Sequence, residues 1–140
     1  MTVLRGDVGE YAVGALEPDP ESAPFWEAAR GGAFVVQRCE SCGRRQYPPL
    51  PYCRRCHGDS LTWVSAPSTG TLYSWAVVRH PLVRRHETLV PFAAGIVELE
   101  PDVRVVALLD IEHEELAAGL QVALSMRPLA DGGVIVGEKA

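Results

Sequence analysis

Cys39, Cys42, Cys53 and Cys56 form two Cys-x-x-Cys pairs separated by ten residues. Tetrahedral thiolate coordination asks for this pattern: two short loops, each offering two sulfurs, closed against each other by a connector. In CESCGRRQYPPLPYCRRC, Gly43 follows the first pair and permits the positive φ of a knuckle, while Pro48, Pro49 and Pro51 stiffen the connector. Two disulfides are the alternative. They are disfavoured because the opening MTVLRGDVGEYAVG has acids where a secretory signal needs an apolar stretch, and cytosolic thiols stay reduced. A thioredoxin-like redox pair would need a βαβ frame that this spacing does not offer. The expectation is a structural Zn2+ on these four cysteines in a cytoplasmic protein, with rubredoxin-like iron as the competing metal and His57 as a bystander. Four thiolates leave no open coordination position, so the metal folds the chain and does no chemistry.

The chain is 140 residues long and 47% hydrophobic, which suits one domain or two very small ones. No apolar run reaches the roughly eighteen residues of a membrane span. A (β/α)-barrel or a full dinucleotide-binding enzyme needs far more chain. The net charge of −5 hides an asymmetry: residues 30–60 hold six arginines against Glu40 and Asp59, a net +4, and the remainder carries −9. A basic module on an acidic body argues for one local contact patch and against a protein-wide nucleic-acid surface.

Ahead of the cysteines, Ser22 or Asp19 can cap a short helix with Pro24 in its first turn, and Gly31-Gly32 ends it. Phe25, Trp26 and Ala29 share one side of that helix. They either pack on the rest of the chain or dock on a partner, since so short a helix is not stable alone. Residues 1–18, with no clear period, read as a flexible tail or linker. Strands are expected at 34–38 and 61–65, and from residue 70 the period of two continues at 71–79, 92–98, 103–110, 120–126 and 134–136. IEHEELAAGL supplies one or two helical turns before the fourth of these last five strands. Five strands with a short helix after the third is the order of an OB-fold barrel. The expected architecture is therefore mainly β: an N-terminal short helix and rubredoxin-like zinc ribbon over 19–66, then a five-stranded OB-fold barrel over 67–140.

The loop HPLVRRHETLVP, residues 80–91, joins the first two barrel strands, where OB-folds commonly bind ligands. It is either a solvated loop whose aliphatics cover a barrel end, or a contact loop for a partner or for an anionic group such as a CoA phosphate. On the second reading Leu82, Val83 and Leu89 join Phe25 and Trp26 as apolar contacts, with Arg84 and Arg85 at the rim. No catalytic residue is assigned: there is no glycine-rich phosphate loop, no Gly-x-Ser-x-Gly elbow and no His-Glu-x-x-His, and His80, His86 and His113 are scattered. Single-strand binders want a basic groove lined with exposed aromatics. The barrel half is acidic, and Tyr73 and Trp75 are expected on one face and buried, so nucleic-acid binding stands second.

Taken together, PFWEAARGGAFVVQRCESCGRRQYPP, CRRC, STGTLYSWAVVRHP, PFAAGIVELE and VRVVALLDI resemble the acyl-CoA-associated zinc-ribbon/OB-fold family, long catalogued as a domain of unknown function. The likeness runs from about residue 22 to residue 137, through Phe25-Trp26, Gln37-Arg38-Cys39, Cys42-Gly43, Pro48-Pro49 and Gly70-Thr71-x-Tyr73-Ser74. Arg54 departs from it, standing where proline is frequent, which loosens that knuckle without removing a ligand. The resemblance implies a non-catalytic subunit of a thiolase-like acyl-CoA lyase, foremost a steroid side-chain retro-aldolase. It implies a hetero-oligomer with the thiolase-like protein, an acyl-CoA substrate shared with it, and a hot-dog-fold hydratase as a further candidate partner. Bridging another thiolase/acyl-CoA complex is the alternative within the same family. Neither nucleic acid nor membrane is an expected partner.

Overall fold

The computed structural model describes residues 2–12 and 17–140. Helix α1 (Ala23–Arg30) opens where Asp19 Oδ1 accepts the Ser22 amide at 2.7 Å. Ser22 occupies the cap position but makes no side-chain cap bond, so of the two expected cap residues it is Asp19 whose carboxylate fixes the first turn. The helix ends where the Gly31 amide bonds the carbonyls of Ala28 and Ala29. Its Phe25 and Ala29 are buried.

Next comes a three-stranded antiparallel sheet in the order β2-β1-β3, made of β1 (Val35–Cys39), β2 (Arg45–Gln46) and β3 (Leu61–Ser65). A closed barrel follows, formed by β4 (Thr69–Val78), β5 (Phe92–Glu100), β6 (Val103–Asp110), β7 (Gln121–Leu129) and β8 (Gly132–Lys139). Its order is β4-β5-β6-β8-β7, and among the described residues β6 and β8 form its parallel pair. That order is the OB arrangement the period-two segments implied. Alternation builds it: Val103, Val105, Ala107 and Leu109 of β6 point inward, while Arg104 and Val106 stand outside. The barrel closes at Thr71, which pairs with Glu98 of β5 and Gln121 of β7; at the preceding Gly70 a Cβ would lie 2.7 Å from Glu98 O and Val97 Cγ1.

Three expectations change. The helix in IEHEELAAGL shrinks to a 3₁₀ turn at His113–Glu115. Leu116 is drawn into the core directly afterwards, leaving no length for a second turn. Tyr73 and Trp75, expected buried, are 54% and 38% exposed. Tyr73 is the extra residue of a bulge between Leu72 and Ser74, and its ring carries the Arg104 guanidinium at 3.9 Å. Trp75 pairs in register with Gly95, but β7 stops pairing with β4 at Thr71 and leaves that half of the strand uncovered.

The third change concerns the segment read as a tail. The amides of Val3 and Leu4 donate to Asp110 Oδ1, and Arg5 Nη1 reaches Val90 O at 3.2 Å. A 3₁₀ turn, Val8–Tyr11, then lays Tyr11 edge-on to Phe92 with centroids 5.0 Å apart. Residues 2–12 therefore rest on the barrel; residues 13–16 of the expected linker lie outside the described residues.

Candidate metal centre and partner surface

The two knuckles bring Cys39, Cys42, Cys53 and Cys56 together, all four sulfurs within 4.8 Å of one another. Cys39 Sγ lies 3.5 Å from Cys56 Sγ, and Cys42 Sγ lies 3.7 Å from Cys53 Sγ. Four thiolates about 2.3 Å from one tetrahedral ion stand about 3.8 Å apart, so the cage fits a metal of that kind. Gly43 has φ 76°, as the first knuckle requires, and its amide bonds Cys39 O at 2.8 Å. His57, at φ 64°, turns the second knuckle by donating its amide to Cys53 O. Among the described residues its imidazole is not part of the sulfur cluster.

The connector is held by two buried glutamines that spacing alone did not single out. Gln37 Oε1 accepts from Gln46 Nε2 and from the Leu50 amide, both at 2.9 Å, and Gln37 Nε2 donates to Leu50 O. Gln46 Nε2 also donates to Tyr52 O, and its Oε1 accepts the Arg54 amide at 2.9 Å. The pair thus ties β1 and β2 to both ends of the proline segment. The Gln-Arg-Cys run quoted above was the available signal.

Backbone amides also tune the sulfurs. The Cys56 and Arg55 amides point at Cys53 Sγ and bring that thiol down to about 6, overcoming the cost of burial. Cys39 is lowered as well, chiefly by the Cys42 amide. For Cys56 the Gly58 amide favours the thiolate, but the neighbouring Cys39 sulfur, burial and the remaining cysteines together push it up to about 11. In the metal-free protein the coupled thiols therefore still share protons, with Cys53 the readier to ionise and Cys56 the more reluctant. Metal uptake must expel protons, and acidification through about 6 protonates Cys53 and adds competition. Metal affinity is expected to rise with pH, with protons released on binding. Calorimetry in buffers of different ionisation enthalpy reads that release, and an affinity flat with pH would contradict it.

The expected contact residues separate. Phe25 and Leu89 are each 2% exposed and are corrected to core positions. Phe25 is enclosed by Trp26, Phe34 and Tyr47, and Leu89 is folded inward by bonds from its own and the Val90 amide to His86 O. Trp26 is half-buried, Val83 is intermediate, and Leu82 is 99% exposed. Arg84 and Arg85 are exposed on a 3₁₀ turn, Arg84–His86, with Arg85 donating to Ala12 O. Trp26 lines an apolar cleft of about 340 Å³, together with Tyr11, His86, Phe92 and Val106. Val106 is 67% exposed and faces Ile96 across the strand pair, which continues the apolar surface.

Residues 26–62 match the family described as ChsH2, rubredoxin-like zinc ribbon domain, and residues 63–127 match ChsH2, C-terminal OB-fold domain. The chain is 34% identical over 115 residues to a probable enoyl-CoA hydratase alpha subunit of Thermomonospora curvata, covering 79% of this chain but only 35% of that protein. It is 28% identical over 97 residues to the benzoylsuccinyl-CoA thiolase subunit BbsA of Thauera aromatica, covering 68% of this chain and 62% of that one. Among solved structures it superimposes on a chain of the Ltp2-ChsH2(DUF35) aldolase with a TM-score of 0.77 and 28% identity, over 89% of this chain and 98% of that one. Ribbon, barrel and cysteine cage agree with both domain matches, and the chain belongs to the ChsH2-type zinc-ribbon/OB-fold (DUF35) family.

Proposed function

We propose that this chain is the non-catalytic subunit of a thiolase-like enzyme that makes or breaks a carbon–carbon bond beside a CoA thioester, foremost a retro-aldolase acting on a steroid side chain. The observation that carries this reading is the superposition over 98% of a chain from the Ltp2-ChsH2 aldolase. The thiolase-subunit relative supports the wider class, and the hydratase-subunit relative supports a hot-dog-fold hydratase as a further partner. Zn2+ is the proposed ion on Cys39, Cys42, Cys53 and Cys56, supported by the sulfur spacing and the ribbon's family.

A retro-aldol step needs a base for the hydroxyl proton and an acid or oxyanion hole for the thioester enolate. Both roles are assigned to the partner, which shares the acyl-CoA with this chain. The proposed contacts are Trp26, Leu82 and Val83, extended by Val106, with Arg84 and Arg85 at the rim. The experiment is reconstitution: a thiolase-like partner assayed on a β-hydroxyacyl-CoA with and without this chain. Activity is expected only with both. Trp26→Ala is expected to weaken the complex by about 2 kcal/mol, as for an aromatic anchor, and to lower activity in proportion. A partner fully active alone, or one that never co-elutes with this chain, would overturn the reading.

A further inference from the structure

The ribbon's arginines gather at one place that the subunit reading leaves without a role. Arg44 and Arg45 leave the first knuckle, Arg54 and Arg55 lie in the second, and Arg104 rises from β6 opposite them. All five line a cleft of about 540 Å³ at the junction of ribbon and barrel, together with Gln46, Tyr47 and Asp102. Three of the five are compensated: Arg44 pairs with Asp102 at 3.0 Å, Arg45 with Glu100 at 2.6 Å, and Arg104 with Glu98 at 2.9 Å. Arg54 and Arg55 have no ion pair among the described residues, so the cleft keeps a net charge of +2 within a chain of net −5.

The backbone beneath the two uncompensated arginines is fixed before any ligand arrives. The Arg54 amide donates to buried Gln46 Oε1, and the Arg55 amide donates to Cys53 Sγ inside the cage. Of the ion pairs along the walls, Arg45–Glu100 is the most enclosed, at 36% and 32% side-chain exposure, whereas Asp102 beside Arg44 is 73% exposed. Screening is therefore weaker than on open surface at the Arg45–Glu100 wall and ordinary at the rim. A concave site with guanidinium forks on two sides and an excess of two positive charges matches a small dianion whose oxygens accept two forks at once. Phosphoryl oxygens have that geometry.

We infer that this cleft is a binding site for a small phosphate-bearing molecule, with Arg54 and Arg55 as its anion ligands and Arg104 as the opposing wall. The site is a property of the chain alone and stands or falls apart from the partner reading. The acidic face of a protein partner is the competing occupant, and its flat, dispersed carboxylates fit a concave cleft less well.

The test is calorimetric titration of the metal-loaded full chain with adenosine 5′-diphosphate. Adenosine serves as the uncharged control and a glutamate-rich peptide as the acidic-segment control. Saturable binding of the diphosphate is expected, with none for adenosine and at least about tenfold weaker binding for the peptide. Arg54→Ala/Arg55→Ala is expected to weaken the diphosphate by at least about tenfold at unchanged metal content, since hydrogen bonds to charged groups are lost. Arg104→Ala leaves both knuckles untouched and is expected to weaken it by at least about threefold, which keeps the proposal testable if the double variant sheds its metal. Absence of diphosphate binding, unchanged affinity in Arg104→Ala, or a peptide that binds as tightly as the diphosphate would overturn the inference.

Discussion

Cys53→Ser is expected to release the metal and unfold the ribbon over residues 33–60, while the barrel mostly keeps its fold. The ribbon's strands are five, two and five residues long. Its fully buried side chains are Val36, the two inner cysteines Cys39 and Cys53, and the Gln37–Gln46 pair. Two hydrogen-bonded glutamines and one valine, with Phe34, Val35, Tyr47 and Trp63 packed only in part against the main core, cannot offset the ordering of so many residues, at about 1–2 kcal/mol of backbone entropy each. Metal binding must therefore supply the difference, and for structural Zn2+ on such ligands it reaches about 10–16 kcal/mol. Serine at position 53 removes one buried ligand and places a hydroxyl where the Arg55 and Cys56 amides address a thiolate. The barrel has its own core of Leu72, Val97, Val105, Leu109, Val122 and Val136. Heteronuclear NMR on metal-loaded and Cys53→Ser protein reads both halves at once. Collapse of the ribbon resonances alone is expected; dispersed ribbon signals in the variant, or loss of the barrel with it, would refute this division.

Local chemistry decided what could be read in advance. Cysteine spacing, Gly43 and the proline connector act over a few residues, so they named the metal cage and its knuckles directly. The barrel strands were legible because each buries one face, and the alternation survives in the sequence. What could not be read depends on residues far apart in the chain. The bulge at Tyr73 shifts the period by one residue, and the exposure of Trp75 follows from where β7 stops pairing, some fifty residues away. Residues 2–12 showed no period because they are held by backbone amides on Asp110, by the Arg5 side chain on Val90 O and by Tyr11 against Phe92 and His86, not by a repeating face. The arginine excess over 30–60 was visible as a number. Its meaning was not, since which arginines are left unpaired depends on Glu98, Glu100 and Asp102 in a hairpin of the other domain.

The same distinction sets Phe25 against its neighbour Trp26, which the sequence could not separate. Phe25→Ala is expected to cost about 3–5 kcal/mol of folding stability, the range for truncating a buried phenylalanine. The ring is 2% exposed and stands where three parts of the chain meet: Trp26 on its own helix at 4.9 Å, Phe34 at 6.5 Å and Tyr47 at 5.6 Å between ring centroids, with the barrel core beneath. Trp26 sits on the helix, Phe34 just before β1 and Tyr47 just after β2, so neighbours held on separate segments cannot all move into the space left behind, and the cavity term stays large. Helix α1 is eight residues long and held mainly by this face, so it is expected to loosen with the ring's removal. Trp26→Ala, half-buried on the rim of the apolar cleft, should cost much less stability and show its effect in the complex. Urea unfolding followed by tryptophan emission, beside pull-down of the proposed thiolase-like partner, separates the two. Phe25→Ala should lose stability and, in the fraction still folded, keep partner affinity; the reverse result would return Phe25 to the interface and remove it from the junction of helix, ribbon and barrel.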